Sequence, residues 1–531
     1  MPSLLTNAAL TGFALTTFVF TRFVIRVISA RLCLRHIPGP TSTSLLWGEE
    51  WNLYHDAPGS HYIEWHQQFG KIVKFRGACG HQILSITDER AVAFIVGDGI
   101  YRFPKPDGVR VWFQKTLGEG ILWIEGKEAH EKQRRSLAPA LTPQSVRKFT
   151  PIFYETSAKL AAQWTKILDN SESDKVEIEV TNWAGRFAFD IFYCFPLQLL
   201  TCISMFSLDT VARAAFSYDF NLLSGEPNAL AEALDGLTNN ENKLSSFYMR
   251  ALFWVFPAIL SIGKKGEMIR RVKAELGAIA CQMWRDAKIA LDAHSTDNDK
   301  TLMALMLKAD TMSSQQLHED EIVAQMRTVL SAGYETVSAI VAWVLYELAM
   351  SPQLQEKLRE EISSPGDPSL DELNNQFPIL DSVILETLRL HPAILENHHQ
   401  AAETISVPLA HPIPGSSVSQ LVIPKGTVLS IPVNVLQMDP EIWGEDAHLF
   451  RPERWHSSDS TRHNLFAFSE GPRSCIGKRF ALAEIKALTL TLIRQFSFTC
   501  SHEIEAIQSF VIRPRIKGQG ISSLPLTVRR V

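Results

Sequence analysis

The longest regular pattern of apolar and polar positions in the chain lies between Asp320 and Met350. Apolar residues recur there at intervals of three and four, which places them on one face of an α-helix. Ser351 and Pro352 end the pattern, because proline cannot continue a helix. The predicted helix is far longer than the average of about 11–12 residues, so we expect it to cross the whole domain that contains it.

Shorter patterns predict other elements on both sides of this helix. Lys71 to Asp88 alternates apolar and polar residues around a Gly-Ala-Cys-Gly turn, which is typical of a β-hairpin. From there helical patterns dominate until about residue 400. Val407 to Val433 contains short strands separated by proline and glycine turns, Ala481 to Arg494 is an amphipathic helix, and Phe510 begins a terminal hairpin. The predicted fold class is mainly α with small β-sheets.

The first 21 residues, Met1 to Thr21, contain no charged side chain and are mostly apolar. As a helix they span about 31 Å, the thickness of a bilayer core. We predict a transmembrane anchor over 1–21, followed over 22–40 by a basic stop and the proline hinge at Ile37 to Pro40. A cleaved signal peptide is the alternative, but it needs positive charge before the apolar run and a small-residue cleavage site after it. The positive-inside rule puts the body of the chain in the cytosol, because four arginines follow the apolar run: Arg22, Arg26, Arg31 and Arg35.

Composition narrows the function classes. The chain has 531 residues, of which 46% are hydrophobic, so it can bury a large core. With 52 basic and 57 acidic residues, and no basic block, it does not have the charge pattern of a nucleic-acid-binding protein. Seven cysteines without paired spacing indicate a reducing compartment and argue against a disulfide scaffold or a cysteine-ligated zinc site.

One of these cysteines, Cys475, lies in the segment Phe468 to Gly477, which reads F-x-x-G-x-R-x-C-x-G. A thiolate that binds iron beneath a flat macrocycle needs a tight turn that leaves its lone pairs free. Gly471 can supply unusual backbone angles, and Gly477 allows the next helix to approach the ring. Arg473 can neutralise a haem propionate. The alternative is an ordinary buried loop cysteine.

The long helix carries a second candidate at its centre, Ala332-Gly333-Tyr334-Glu335-Thr336. A glycine inside a helix costs about 1 kcal/mol relative to alanine, and close approach of a flat ring would explain its presence. Thr336 can bridge the backbone ladder and, with Glu335, hold waters that deliver protons. The alternative is an exposed threonine beside a chance glycine.

These two motifs resemble the haem loop and the oxygen-activation helix of the cytochrome P450 family, with Val337 where a second threonine or serine is common. The resemblance covers about residues 36 to 531. Its four signatures stand in the expected order: Ala332 to Thr336, Glu386-Thr-Leu-Arg389, Phe450-Arg-Pro-Glu-Arg454-Trp455 and Phe468 to Gly477. It implies the cytochrome P450 fold after an N-terminal transmembrane helix, with a haem domain over 41–531. The cofactor would be haem, iron protoporphyrin IX, with Cys475 as the metal ligand. Glu335 and Thr336 would be the catalytic proton relay.

The resemblance also implies supporting roles around the haem. Glu386 and Arg389, in an E-x-x-R motif, would join Arg454 in a buried cluster that is structural rather than catalytic. Cofactor-binding roles fall on Phe468, Gly333 and Gly477 in the two motifs. Three further positions would face propionates besides Arg473: Arg134, His130 in place of the family's tryptophan, and His399 in place of its arginine. His398, beside His399, could take that role instead.

The stretch from Phe189 to Ser207 is aromatic and nearly uncharged, and it interrupts an amphipathic pattern. Removing it joins Ala188 to Leu208 and restores a regular helix that resembles the family's corresponding one. It is therefore either a retained intron or a family-atypical insertion. A lipid-facing hydrophobic loop is the third interpretation.

The resemblance implies a haem-thiolate monooxygenase that uses O2 on a lipophilic small molecule, in keeping with an aromatic lid over residues 220–265. The 56 residues after Cys475 are too few for a flavin domain, so electrons would come from a separate NADPH-cytochrome P450 reductase at the endoplasmic reticulum membrane. Likeness to fungal members suggests secondary metabolism. Two alternatives stay open: a reductase-independent isomerase or dehydratase on the same fold, and a non-catalytic haem-binding protein.

Overall fold

This computed structural model describes most of the chain after the N-terminal segment. The described residues are 27–42, 44–181, 203–216, 218–220, 222, 244–292, 303, 317–413, 419–456, 465–508 and 510–531, with isolated positions 17, 21 and 25.

Most of the described residues are helical. The helices are α1 Glu50–His55, α2 Ser60–Phe69, α3 Glu89–Val96, α4 Asp107–Thr116, α5 Lys127–Leu137, α6 Pro143–Asp169, α7 Ile203–Phe216, α8 Leu244–Leu252, α9 Gly263–Asp292, α10 Glu319–Met350, α11 Pro352–Glu361, α12 Leu370–Asn375, α13 Pro378–Leu390, α14 Val433–Gln437, α15 Pro440–Trp443 and α16 Lys478–Gln495.

The strands are short. They are β1 Ile72–Arg76, β2 Gln82–Ile86, β3 Lys175–Glu179, β4 Glu396–Gln400, β5 Ile405–Pro408, β6 Gln420–Ile423, β7 Val428–Pro432, β8 Phe496–Thr499, β9 Ile504–Gln508, β10 Ile512–Ile516 and β11 Pro525–Arg530. Within the described chain they form small sheets with the strand orders β1-β2-β7-β4, β5-β6, β3-β11-β8 and β10-β9. The predicted fold class, mainly α with small sheets, is confirmed.

The chain divides into two compact units. The first contains Met1–Pro106 and Glu396–Pro432, and includes the predicted hairpin, in which Ile72 pairs with Ile86. The proline hinge packs on this hairpin: Lys74 N–H donates to the Pro38 carbonyl at 2.9 Å. The hinge is thus part of the folded body rather than a loose linker.

The second unit contains Asp107–Leu395 and Val433–Val531, and α10 runs through its core. Glu321 accepts a hydrogen bond from His318 N–H at 2.9 Å, and acidic residues in the first turn favour this helix end electrostatically. Pro352 begins α11 at the other end, as the sequence predicted. The side chains of the predicted stripe are buried: Val323, Met326, Leu330, Val337, Ile340, Val344 and Leu348.

One strand was not predicted, and one sequence-based boundary needs correction. Helices dominate the described chain up to β4, as predicted, but β3 at Lys175–Glu179, which pairs with β11, interrupts them. The terminal hairpin begins earlier than Phe510, since β9 already starts at Ile504 and pairs with β10. Short strands of this kind are defined by distant partners, which the local pattern does not contain.

The predicted anchor, Met1 to Thr21, lies almost entirely outside the described residues. Among the residues that are described, α10 is the one helix long and apolar enough to cross a membrane by length and composition. Its most apolar window is 72% buried inside the protein, so α10 is a core helix.

Part of the interval 189–207 can be placed. Residues 189–202 lie outside the described residues, but Ile203 to Ser207 begin α7 and are buried. Ile203 N–H donates to the Val180 carbonyl at 3.2 Å, so residues on either side of the undescribed interval are hydrogen-bonded to each other. The end of the interval therefore belongs to the core of the second unit.

Candidate functional site

The loop around Cys475 is a closed turn that ends at the N-terminus of α16. Cys475 N–H donates to the Phe468 carbonyl at 2.9 Å, which fastens the two ends of the turn. Gly471 has a φ of +70°, a conformation that favours glycine, and Ser469 has a φ of +55°. The unusual backbone angles predicted for Gly471 are therefore present. The turn places the Cys475 sulfur immediately before the first turn of the helix.

The surroundings of the Cys475 thiol act on its charge in opposite directions. Although the residue is exposed beside the loop, the surrounding protein keeps much of the bulk water away from the thiol; this raises its pKa and is the largest effect. The N–H groups of Gly477 and Lys478, together with the positive charges of Arg134 and Lys478, lower it in part. The N–H groups and positive charges thus stabilise the thiolate only in part. A positively charged partner such as a metal ion would stabilise it further.

The same loop leaves room beside the sulfur. Cys475 is exposed in the described chain, and a Cβ added at Gly477 would lie 4.0 Å from the sulfur. A soft, accessible thiolate ligand with N–H groups directed at it suits haem iron. The residues present therefore fit a haem that Cys475 would hold as its thiolate ligand.

Two arginines predicted to face propionates lie close to this loop. Arg134, on α5, donates through Nη1 to the Ser474 carbonyl at 2.8 Å. Arg473 donates to the Ile124 carbonyl at 3.1 Å and to Glu125 Oε2 at 2.5 Å. His130, on the same helix as Arg134, is buried. The structure thus gathers His130, Arg134 and Arg473 in one unit with Cys475.

The centre of α10 has one part-buried face. Ala332 and Thr336, four residues apart, are both part-buried, and the Thr336 hydroxyl donates to the Ala332 carbonyl at 2.9 Å. Glu335 points elsewhere: it is buried, and its Oε1 lies 3.5 Å from Nη2 of Arg513. Arg513 was not recognised from the sequence, because nothing local connects it with a residue 178 positions earlier.

Gly333 has a neighbour that the sequence did not predict. A Cβ at this position would lie 2.9 Å from Cγ2 of Val211 on α7, closer than real contacts allow. Close packing of α7 on α10 therefore accounts for the glycine without a bound ring. Its assignment as a cofactor-binding residue stays a prediction.

Glu386, Arg389 and Arg454, which were predicted to form a buried charged cluster, lie together in the structure. Glu386 accepts from Arg389 at 2.7 and 2.9 Å, and from Arg454 Nε at 2.9 Å. Trp455 Nε1 donates to the same carboxylate at 2.9 Å, and Arg389 also donates to the Ala447 carbonyl at 2.6 Å. Glu386 and Arg389 are fully buried. The cluster joins α13 to the segment before the cysteine loop.

His399 lies in the first unit, on β4. Its Nδ1 is 3.0 Å from the Phe103 carbonyl, so this nitrogen carries the proton, because a carbonyl only accepts. Neighbouring residues of a strand face opposite sides, and His398 instead pairs with Glu396 at 3.0 Å. His398 thus pairs with an acid of its own strand, whereas His399 bonds to a backbone carbonyl.

Comparison with known proteins identifies the family. The family model described as "Cytochrome P450" matches residues 37–516. The chain belongs to the cytochrome P450 family. It is 32% identical over 516 residues to cytochrome P450 monooxygenase claQ of Ampulloclitocybe clavipes, covering 93% of this chain and 92% of that protein. It is also 32% identical over 533 residues to cytochrome P450 monooxygenase 128 of Postia placenta, covering 94% and 93%.

Membership in the cytochrome P450 family confirms several of the predictions. The protein is an oxidoreductase of the monooxygenase class, and its cofactor is haem with a thiolate ligand. Sequence reasoning missed two partners of site residues, Glu125 beside Arg473 and Arg513 beside Glu335. Glu125 lies only five residues before His130, but carboxylates are common on surfaces, and its position alone gives no signal.

Proposed function

We propose that this chain is a membrane-bound cytochrome P450 that oxidises a lipophilic small molecule in fungal secondary metabolism. In this proposal electrons come from NADPH through a separate NADPH-cytochrome P450 reductase. The accessible Cys475 thiol at the end of a closed turn carries the proposal, because it supplies the ligand of a haem-thiolate enzyme. The apolar N-terminal segment supports attachment to the endoplasmic reticulum membrane.

In this function Cys475 holds the haem, which supplies the one-electron chemistry that activates O2. Arg473, Arg134 and His130 are our candidates for binding one haem propionate, and His399 is our candidate for binding the other. Glu335 and Thr336 would hold and move the protons that the reaction consumes. Thr336 already donates to the Ala332 carbonyl, which fixes the direction of its hydroxyl.

The ligand assignment is tested by carbon monoxide binding to the reduced protein. We expect the red-shifted absorption band that a thiolate-ligated ferrous complex gives, and its loss in Cys475→Ser. The matched control is Cys500→Ser, which changes a half-buried cysteine at the end of β8. If the wild-type protein binds haem but lacks the band, the proposal is wrong.

The activity is tested by co-expression with a cytochrome P450 reductase and analysis of oxidised products from a panel of lipophilic compounds. Product that depends on NADPH and O2 supports the monooxygenase. Turnover of organic peroxides without NADPH or reductase would instead support an isomerase or dehydratase. Haem binding without product under either condition would support a haem-binding protein.

A docking surface for the reductase is part of this proposal. Lys127 and Arg135 on α5, and Lys478 and Arg479 at the start of α16, are exposed cations. Acidic partners associate faster with such a surface, and salt weakens the effect. We expect Lys127→Glu with Arg135→Glu to raise the reductase concentration needed for half-maximal turnover several-fold at low salt, and to leave the carbon monoxide band intact. Arg285→Glu on α9, another exposed cation, is the control; an equal effect of both changes would contradict this surface.

A further inference from the structure

Arg513 is a buried cation that neither catalytic motif contains. It lies on β10, where it pairs in register with Ile507 of β9, and it is 4% exposed. Its Nη2 is 3.5 Å from Oε1 of Glu335, which is 2% exposed. A buried carboxylate and a buried guanidinium each lose much hydration, and each needs the other as a counter-charge.

The strand that carries Arg513 is fastened to the helix that carries Glu335. Trp343 Nε1, two turns further along α10, donates to the Ile512 carbonyl at 3.2 Å. The Trp343 ring also stacks on His391, with centroids 4.0 Å apart and planes 3° from parallel. Ile512 is buried against Trp343. Arg513 therefore cannot move away from Glu335 without disturbing this packed contact.

The guanidinium is only partly used by its protein partners. Guanidinium groups have five N–H donors. In the part of the chain that the structure describes, Nε of Arg513 is buried without a hydrogen-bond partner, and the ion pair with Glu335 is long. Such a cation acts on the Glu335 carboxyl mainly through its charge.

Two other charged groups on the hairpin and on α10 have partners of their own. On the hairpin, Arg515 donates to Glu505 at 2.7 Å. On α10, Glu347 pairs with His391 at 2.7 Å. Arg513 is therefore the cation that faces Glu335 from β10, and neither of these pairs substitutes for it.

We propose that Arg513 is a positioning residue for oxygen activation, which pairs with the Glu335 carboxyl and holds it toward the C-terminal hairpin. This inference rests on the proposed function, in which Glu335 moves protons. In this proposal Arg513 acts through Glu335, by setting the orientation of its side chain.

The first test is the pH dependence of thermal unfolding of the purified holoprotein. Arg513→Gln leaves a buried carboxylate without its counter-charge, so the variant pays a growing penalty as pH rises above about 4.3, the ordinary pKa of a glutamic acid. We expect its melting temperature to fall by about 5 °C more at pH 8 than at pH 5. Arg513→Lys keeps the charge and should show little pH dependence relative to wild type. Adding Glu335→Gln to Arg513→Gln should remove most of the pH-dependent loss.

The second test measures how much of the O2 consumed appears as oxidised product. We expect Arg513→Gln to lower this fraction about tenfold and to shift its pH profile, with Arg513→Lys recovering most of it. Arg515→Gln, two residues along the same strand, is the matched control. The inference is overturned if Arg513→Gln and Arg515→Gln change stability equally at every pH, or if Arg513→Gln leaves the fraction and its pH profile unchanged.

The two proposals can fail separately. The carbon monoxide band of each variant shows whether haem and thiolate are in place. If the wild-type protein lacks that band, the proposed function is wrong, while the unfolding series still reports whether Arg513 and Glu335 are coupled.

Discussion

At the residue scale, Glu484 shows how strongly burial acts on one side chain. It lies on α16, is fully buried, and accepts a hydrogen bond from the Ser207 hydroxyl at 2.8 Å. In the described chain its Oε2 has no hydrogen-bond partner. Burial raises the pKa of Glu484 well above the ordinary value, and the Ser207 hydrogen bond lowers it only in part.

The raised pKa predicts the effect of Glu484→Gln. Because the folded state holds the proton more tightly than the unfolded chain, folding stability is lost as pH rises above about 4.5 toward the folded pKa. Glutamine has the same shape and never ionises. At pH 8 we expect the variant to be more stable by at least about 1 kcal/mol, since one pKa unit corresponds to about 1.4 kcal/mol. Below pH 4.5 this difference should disappear.

The measurement is the urea midpoint followed by tryptophan fluorescence at pH 4, 6 and 8. Glu453→Gln, a change at an exposed glutamate of the second unit, is the control, and its effect on stability should not depend on pH in this way. Identical midpoints for Glu484→Gln and wild type at pH 8 would show that the carboxyl is not destabilising.

At the element scale, the contact between α7 and α10 determines which residue is tolerated at position 333. A Cβ there would lie 2.9 Å from Val211 Cγ2 and 3.2 Å from Cγ1. Valine is stiff about χ1 and cannot easily move aside. The helix pair thus packs more closely than a side chain at Gly333 would permit.

We therefore expect Gly333→Ala to destabilise the protein by about 1–2 kcal/mol, because overpacking outweighs the gain of about 1 kcal/mol in helix propensity. Val211→Ala in the same chain should recover most of the loss, as a double-mutant cycle of unfolding free energies would show. If Val211→Ala gives no recovery while Gly333→Ala abolishes haem incorporation, the glycine serves the haem rather than the helix contact.

Whether the interval 189–207 is needed for folding can also be tested at the element scale, because it includes the start of α7. Deleting it moves Phe187 to the place of Phe206 and Ala188 to the place of Ser207, at the start of α7. Phe206 is fully buried, so the aromatic core contact is kept. Ser207 is the partner of Glu484, and alanine cannot replace its hydroxyl.

We expect the deletion variant to fold and to give the carbon monoxide band, and Ala188→Ser within it to raise stability by about 1 kcal/mol by restoring the Glu484 hydrogen bond. Parallel expression of the full-length chain is the control. A band from the full-length protein but not from the deletion variant would contradict the intron hypothesis. So would transcripts that contain these codons in active cells.

At the scale of the whole molecule, the N-terminal segment is predicted to decide where the enzyme resides. The folded body starts after it: Leu34 and Ile37 are buried, and Lys74 Nζ donates to the Leu34 carbonyl at 2.8 Å. A truncation that spares these contacts removes only residues 1–26.

We expect the truncated chain to keep the carbon monoxide band and to move from the carbonate-washed membrane pellet to the soluble fraction. The full-length chain, prepared in parallel, should stay in the pellet. If the truncated protein also stays there, another surface binds the membrane. Exposed apolar side chains such as Trp51 and Phe256 are then the first to test.

The chain's own motifs allowed prediction of the fold class, the limits of α10 to within one residue, and the cysteine loop. These features depend on local periodicity and on fixed spacing around Cys475. The partners of site residues could not be predicted. Arg513 reaches Glu335 and Ser207 reaches Glu484 only because β10 and α7 fold against distant helices.

The sequence by itself therefore predicted a metal ligand and a candidate acid and hydroxyl for proton delivery, because a short motif fixes both their identity and their local geometry. The tertiary structure decided what surrounds them. It packed Gly333 against Val211 of α7, gave Glu335 a buried counter-charge, and separated His398 from His399 by strand alternation. Those outcomes depend on which surfaces meet in the folded protein. The local sequence around a residue does not show which distant residues it will contact.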